Sequence, residues 1–194
     1  MEEAHALALK KTIFALQPLT ENEWEGFLEG WQTVSYKRKT ILTATGETEK
    51  YLYFVVDGVQ RGFYANGEKE VTIVFSYPYS FSGIIDSFLL QQPSKYFLET
   101  LTASTLLRAP YRHIEKQMET CLGIERYVRK SLSFIVSGIL ERQIELSCFS
   151  AEEKFRTLLK RSPHILQIVP HKYLASYLGL DPTTFSKLMA SVRI

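Results

Sequence analysis

The 194-residue chain has little of what simple catalytic or metal chemistry requires. Its two cysteines, Cys121 and Cys148, lie far apart in sequence. That excludes a disulfide framework and any four-cysteine cluster or zinc site built from this chain alone, and it reads as reduced, packed thiols of an intracellular protein. Gly-rich phosphate loops, nucleophile elbows and His/Glu metal sets are also missing, so the expectation is a non-enzyme with no metal and no cofactor. No apolar run approaches the length that spans a bilayer. The stretch Met1-Glu2-Glu3-Ala4-His5 is acidic where a signal peptide would be basic, which points to a cytoplasmic protein without membrane partners. An excess of one charge is lacking as well, since the net is only +2. That charge is uneven, however. Residues 151–194 carry seven Lys/Arg (Lys154, Arg156, Lys160, Arg161, Lys172, Lys187, Arg193) against Glu152, Glu153 and Asp181, hence +4, leaving −2 for the rest. A basic tail on a slightly acidic body suits a polyanionic partner.

What is present is ordinary globular material: 45% apolar and 23% charged, which excludes extensive disorder. Ala4 to Leu16 is rich in helix formers. Thr20-Glu21-Asn22-Glu23 is a capping box for a second helix carrying Trp24, Phe27 and Leu28, which should stop near Gly30. The texture then turns to short β-rich runs: Val34-Ser35-Tyr36, Ile41-Leu42 and Tyr51-Leu52-Tyr53-Phe54-Val55-Val56. Asp57-Gly58 and Asn66-Gly67 read as hairpin turns, with Glu70 to Phe75 following the second. Further strands are expected at Tyr96 to Thr102 and Ser104 to Ala109. Many short strands with regular turns mean a sandwich or jelly roll rather than a βαβ sheet.

Helical periodicity returns from about Arg112. Val128, Leu132, Ile135, Ile139 and Leu146 follow steps of four, three, four and seven, a heptad seam with Arg142 at its polar position. Val136, Leu140 and Ile144 form a second apolar line beside it. One line can bury against the β domain and the other against a twin helix; a single core helix buried on both sides is the monomeric alternative. Gly138 in mid-helix costs roughly 1 kcal/mol relative to Ala, and close approach of a partner backbone would be a reason for it. Ser150 and Glu153 make another capping box, for a helix carrying Phe155, Leu158 and Leu159. Pro163 ends that helix, and Ile165 to Val169 is an apolar connector or short strand.

The stretch from His171 to Leu188 carries the most information. Leu174, Ala175 and Leu178 share one side of a short helix, and Gly179 can stop it in the left-handed conformation. Asp181 stands where an N-cap acceptor belongs and Pro182 at the first helical position. Phe185 and Leu188 turn the second helix back onto the first, leaving Thr183, Thr184, Ser186 and Lys187 outward. This is the layout of a DNA-reading helix-turn-helix. A compact helical hairpin would bury the same residues, but cap, turn and core positions all agree on the former. Thr183, Thr184 and Lys187 are then placed for base edges, and Ser186 and Lys172 for phosphates.

The order helix, β-roll, seam helix, helix-turn-helix resembles the Crp/Fnr family of bacterial transcription regulators over essentially the full length, and looks most like members common in Bacteroidetes. The residues that carry this are Tyr51 to Gly58, Glu70-Val71-Thr72-Ile73, Gln92-Pro93-Ser94-Lys95-Tyr96 and the terminal helix-turn-helix. The resemblance implies an α+β chain: an N-terminal double-stranded β-helix (a cyclic-nucleotide-binding-like jelly roll) with flanking helices over residues 1–118, a long dimerisation helix over 119–148, and a helix-turn-helix domain over 149–194. It implies a homodimer reading a palindromic operator in double-stranded DNA, with RNA polymerase as a further candidate partner.

Cyclic-nucleotide-binding relatives carry a Phe-x-Gly-Glu stretch and, beyond it, Arg-Ser or Arg-Thr. Here the first reads Phe81-Ser82-Gly83-Ile84 and the second Pro93-Ser94-Lys95-Tyr96. The ribose carboxylate and the phosphate guanidinium are both replaced, which argues against cyclic AMP; Lys95 supplies a point charge but no fork. An iron–sulfur cluster needs more cysteines than exist. His5, His113, His164 and His171 read as surface or cap residues rather than haem ligands. An effector pocket would draw on Phe81, Gly83, Ile84, Ser94, Lys95 and Tyr96, for an apolar or weakly anionic molecule. The aromatics nearby (Tyr77, Tyr79, Phe88 and Phe97) suit a cavity wall or plain core filling. The competing function is a β-roll that binds a small molecule or another protein without sequence-specific DNA binding.

Overall fold

Every position from Tyr51 to Val56 is apolar, and the structure shows why: the strand they form is covered on both faces. A computed structural model describes residues 2–67 and 69–191. Glu68, beside the Asn66-Gly67 turn, Arg193 of the basic tail, and the terminal limits of the first and last expected domains lie outside the described residues.

Two helices open the chain, α1 (Glu3–Leu16) and α2 (Glu21–Leu28). The expected capping box starts α2: the Thr20 amide donates to Glu23 at 2.8 Å and the Glu23 amide to the Thr20 hydroxyl at 3.3 Å. The β section follows as β1 (Gln32–Tyr36), β2 (Ile41–Thr43), β3 (Tyr51–Asp57), β4 (Gln60–Asn66), β5 (Lys69–Ser76) and β6 (Phe81–Ser82), then helix α3 (Ile85–Leu90), β7 (Phe97–Thr100) and β8 (Ser104–Pro110). Helices α4 (Tyr111–Thr120), α5 (Leu122–Cys148), α6 (Ala151–Arg161), α7 (Ile165–Ile168), α8 (His171–Leu178) and α9 (Pro182–Ser191) complete it. No helix among the described residues is long and apolar enough to cross a membrane.

The strands form two four-stranded sheets, ordered β1-β8-β3-β6 and β2-β7-β4-β5. In the first, β8 runs antiparallel to both neighbours, with Val34 and Val55 each opposite Leu106. Tyr53, Val55 and Leu106 join Leu98 and Ile84 in a core between the sheets. Phe54 and Leu107, on the alternate face, pack with Leu9, Ile13, Trp24, Phe27, Ile114 and Ile124 of the helices. The sandwich expected from strand spacing is present.

One local expectation is corrected and two are refined. Asp57-Gly58 is not a hairpin, because β3 and β4 belong to different sheets. It is the corner where the chain changes sheet. Gly58 has φ +92, and a Cβ there would sit 2.3 Å from Ser104 Oγ and 2.6 Å from the Ala103 carbonyl oxygen, so only glycine fits. Asn66-Gly67 does join neighbouring strands. The helical stretch after Arg112 is two helices, broken at Cys121. There the Glu23 carboxylate accepts from the Cys121 thiol and the Gly123 amide, both at 3.3 Å, and so supports the start of α5. Finally, Ile165 to Val169 is a helical turn rather than a strand. The Val169 amide closes onto the Ile165 carbonyl at 3.0 Å while both side chains are buried. Helix α3 had no counterpart in the sequence reading.

The residues group into two compact units. One comprises Met1–Gly62 with Phe75–Phe134, the other Phe63–Val74 with Ile135–Ile194. Helix α5 contributes residues to both.

Candidate functional site

Within the second unit, α8 and α9 are two short helices joined by the turn that the sequence laid out. Gly179 ends α8 in the left-handed conformation at φ +66, and the Leu180 amide reaches back to the Ala175 carbonyl at 2.9 Å. Asp181 caps α9: one carboxylate oxygen accepts the Thr184 amide at 2.9 Å, the other the Thr184 hydroxyl at 2.6 Å. These bonds, that of the hydroxyl first, hold the Asp181 carboxyl below its usual range. Phe185 is buried edge-on against Phe155 of α6, ring centres 5.5 Å apart, and lies 5.7 Å from the His171 ring.

The five proposed DNA contacts are not equivalent. Thr183 and Lys187 are exposed on α9, and Lys172 is exposed on α8 with its ammonium 4.8 Å from the Tyr173 ring centre. Thr184 is half-buried and its hydroxyl donates to Asp181, while the exposed Ser186 donates to the Pro182 carbonyl at 2.9 Å. Two hydroxyls expected to face DNA are therefore engaged within their own helix.

Glu145, not anticipated as important, fastens this unit together. It is buried, and Arg142 reaches it at 3.0 Å while Arg161 of α6 bonds its other oxygen. Arg142 also donates to the Tyr177 carbonyl of α8 and lies 4.0 Å from the Tyr177 ring centre. The polar seam position thus serves α5 and α8 of its own chain, and Glu145 links it to Arg161 of α6. Burial alone would push the Glu145 carboxyl up, but the bonds and charges of Arg161 and Arg142 outweigh it and leave the group below its usual range. A lowered folded pKa gives stability that is present above the unfolded value, about 4.3, and lost as pH falls through the folded one. Glu145→Gln is expected to cost about 1–3 kcal/mol at neutral pH. Its urea midpoints should converge with those of the wild type below pH 4.

The residues of the seam itself divide. Val128 packs on the helix-side core of the first unit and Leu132 is half-buried. Leu146 lies 3.6 Å from where a Gly179 Cβ would stand. Ile135 and Ile139 are exposed, and so are Phe134, Val136, Leu140 and Ile144 around them. A Cβ on Gly138 would touch nothing.

In the first unit, the six candidate effector residues are engaged by their own chain. Phe81 lies among Trp31, Phe54 and Tyr127, with ring centres at 6.1, 5.4 and 5.9 Å. Ile84 and Tyr96 belong to the core between the sheets. Gly83 has φ +143, with the Tyr51 carbonyl 3.5 Å from its Cβ position. Ser94 is buried, donating to the Tyr96 carbonyl at 2.8 Å and accepting the Tyr96 amide at 2.9 Å. Lys95 is exposed, and its carbonyl accepts from Thr45 at 3.2 Å. Of the histidines, His113 is half-buried, its Nε2 2.8 Å from the Phe27 carbonyl oxygen.

In the first unit, two further buried acidic groups escaped the sequence reading. Glu49 is 1% exposed and accepts four bonds, from the Thr43 hydroxyl (2.8 Å) and the amides of Lys50 (3.1 Å), Ile84 (3.2 Å) and Tyr51 (3.3 Å). Burial raises its carboxyl above the usual range despite those donors. The Ile84 amide, at the fourth position of the Phe81-Ser82-Gly83-Ile84 stretch, is thereby occupied. Glu99 on β7 is buried between Arg61 at 2.9 Å and Lys39 at 3.0 Å. Nothing in a strand reading of Glu99 or a loop reading of Glu49 distinguishes them from solvated acids.

Comparison with known proteins agrees with this geometry. Residues 33–121 match the family model of the cyclic nucleotide-binding domain. Among solved structures, FixK2 from Bradyrhizobium japonicum superposes with a TM-score of 0.74 at 16% identity, covering 82% of this chain and 83% of that one. A Eubacterium rectale protein assigned to the Crp/Fnr transcriptional regulators gives 0.70 at 14%, covering 89% and 82%. The catabolite activator protein of Thermus thermophilus gives 0.58 at 18%, covering 93% and 85%. No match was found among curated proteins. Over residues 33–121 the chain is therefore similar to cyclic nucleotide-binding domains, and its overall fold is the one those solved structures share.

Proposed function

We propose that the chain is a Crp/Fnr-type transcriptional regulator, of the kind common in Bacteroidetes, acting in the cytoplasm as a homodimer on a palindromic operator. The observation that carries this is α9, fixed by the Asp181 cap and the Phe155–Phe185 contact while Thr183 and Lys187 stay exposed. A helix so held can enter a major groove without reordering. On this reading residues 1–118 sense, 119–148 dimerise and 149–194 bind DNA, with Lys172 and Ser186 against phosphates and Thr183, Thr184 and Lys187 toward bases. RNA polymerase is its further partner, and it performs no catalysis. The internal bonds of Thr184 and Ser186 shift the reading load onto Thr183 and Lys187.

Cyclic AMP is not its ligand on this reading. Ile84 is apolar and packed, its amide is held by Glu49, and the Ser94 hydroxyl is already bonded. The same engaged hydroxyls on α9 favour, as a second reading, a β-roll interaction protein without sequence-specific DNA binding.

Selection of bound duplexes from a random pool, followed by salt titration, decides between them. A palindromic consensus whose affinity falls steeply with salt is expected. Lys187→Ala should then cost about 1–3 kcal/mol on the selected site if the side chain reads a base. A pool that stays random, with unchanged retention for the variant, would favour the interaction protein.

A further inference from the structure

The first unit contains a surface groove that none of the expected sites uses, with a volume of about 390 Å³. Its floor is apolar, formed by Phe88 and Leu89 of α3 with Ile114 and Met118 of α4. Its rim is acidic: Glu115 and Glu119 from α4 and Glu125 from the first turns of α5. Tyr111 completes the wall, its ring edge-on to Phe88 at 5.5 Å and 82°, its hydroxyl bonded to Glu115. No lysine or arginine lines the groove, although Arg129 pairs with Glu125 at 3.4 Å on the same helix.

We infer that this groove binds a small organic ammonium ion, its apolar body on the Phe88–Met118 floor and its charge between Tyr111 and the glutamates. Three features select that class. The volume falls within the range of small-molecule sites, about 300–1,000 Å³. An aromatic face beside carboxylates, here that of the half-buried Tyr111, is what a cation with a hydrophobic stem requires, through ring quadrupole and charge-assisted bonds together. An anion would meet three carboxylates and no compensating donor except a phenol already committed to Glu115. The expected effector in the β-roll was apolar or weakly anionic; this site is elsewhere and its charge preference is opposite. The inference does not depend on the regulator reading.

The test is calorimetric titration of the full chain with tryptamine, and with 3-methylindole and indole-3-propionate as neutral and anionic counterparts. Saturable binding of tryptamine alone is expected. The double variant Glu115→Gln/Glu119→Gln, altered only at exposed side chains, should weaken it roughly tenfold, the scale of a lost charge-assisted contact. Met118→Arg, which brings a cation into the groove, should abolish it while circular dichroism stays unchanged. Absence of tryptamine binding, equal binding of either counterpart, or wild-type affinity in the double variant would overturn the assignment.

Discussion

Ile139→Glu together with Leu140→Glu should convert a dimer into a monomer in sedimentation equilibrium and reduce operator affinity by at least about two orders of magnitude. The reason is the middle of α5. Phe134, Val136, Ile139 and Leu140 are 67%, 54%, 62% and 61% exposed, and Ile135 and Ile144 add to them. Single exposed apolar residues are common, but six within eleven residues of one helix suit an interaction surface. Covering one such side chain contributes about 1.5–3 kcal/mol, and a two-fold interface uses each one twice. Two carboxylates per chain, facing their symmetry copies, would reverse that gain. Far-ultraviolet circular dichroism should not change, because the replaced side chains are mostly exposed in their own chain. Gly138 offers an internal check: Gly138→Ala should stabilise an isolated helix by about 1 kcal/mol, but weaken association if a partner backbone passes close. A wild-type chain that is already monomeric at micromolar concentration would remove the dimer from the proposal.

The second large effect is expected at Glu49. Glu49→Ala leaves the buried amide of Ile84 without its acceptor and takes the acceptor from Lys50, Tyr51 and the Thr43 hydroxyl as well. An unsatisfied buried polar group costs about 1–3 kcal/mol, so the total loss should be on the order of 4 kcal/mol. Urea denaturation of the full chain measures it. The pH dependence carries a further sign. Burial raises the Glu49 carboxyl, so the folded state holds its proton more tightly than the unfolded state. Its contribution is therefore fully present below the unfolded value and is lost as pH rises through the folded one. That is opposite to Glu145, where Arg142 and Arg161 hold the carboxyl down. Two buried carboxylates in one chain thus respond to acid in opposite senses, because one is surrounded by uncharged donors and the other by guanidinium groups. Glu49→Gln should remove the rising-pH loss, and Glu145→Gln the falling-pH loss. A shared direction in the two variants would contradict these assignments.

Much of the terminal region was legible because its determinants are local. A cap, a left-handed glycine and an apolar pair three residues apart act within one or two helical turns, and Asp181, Gly179 and Phe185 all do what their positions implied. The capping boxes at Thr20 and Ser150 were readable for the same reason. Asp57-Gly58 misled because a hairpin turn and a sheet-changing corner share the same dipeptide, and only the distant Ser104 backbone tells them apart. The heptad seam was real as a pattern, but periodicity does not say which chain covers each position. Arg142 turned out to serve Tyr177 and Glu145.

By itself, then, the order of residues determined the class of fold, the sandwich followed by helices, and the two helices with their turn near the end. These follow from hydrophobic period and backbone preference, which act between neighbours in sequence. Tertiary structure alone decided that Glu49, Glu99 and Glu145 are buried, that Thr184 and Ser186 spend their hydroxyls at home, and that Phe81, Ile84 and Tyr96 of the candidate effector residues pack into the core. Burial and hydrogen-bond partnership depend on groups tens of residues away, and no local pattern encodes them.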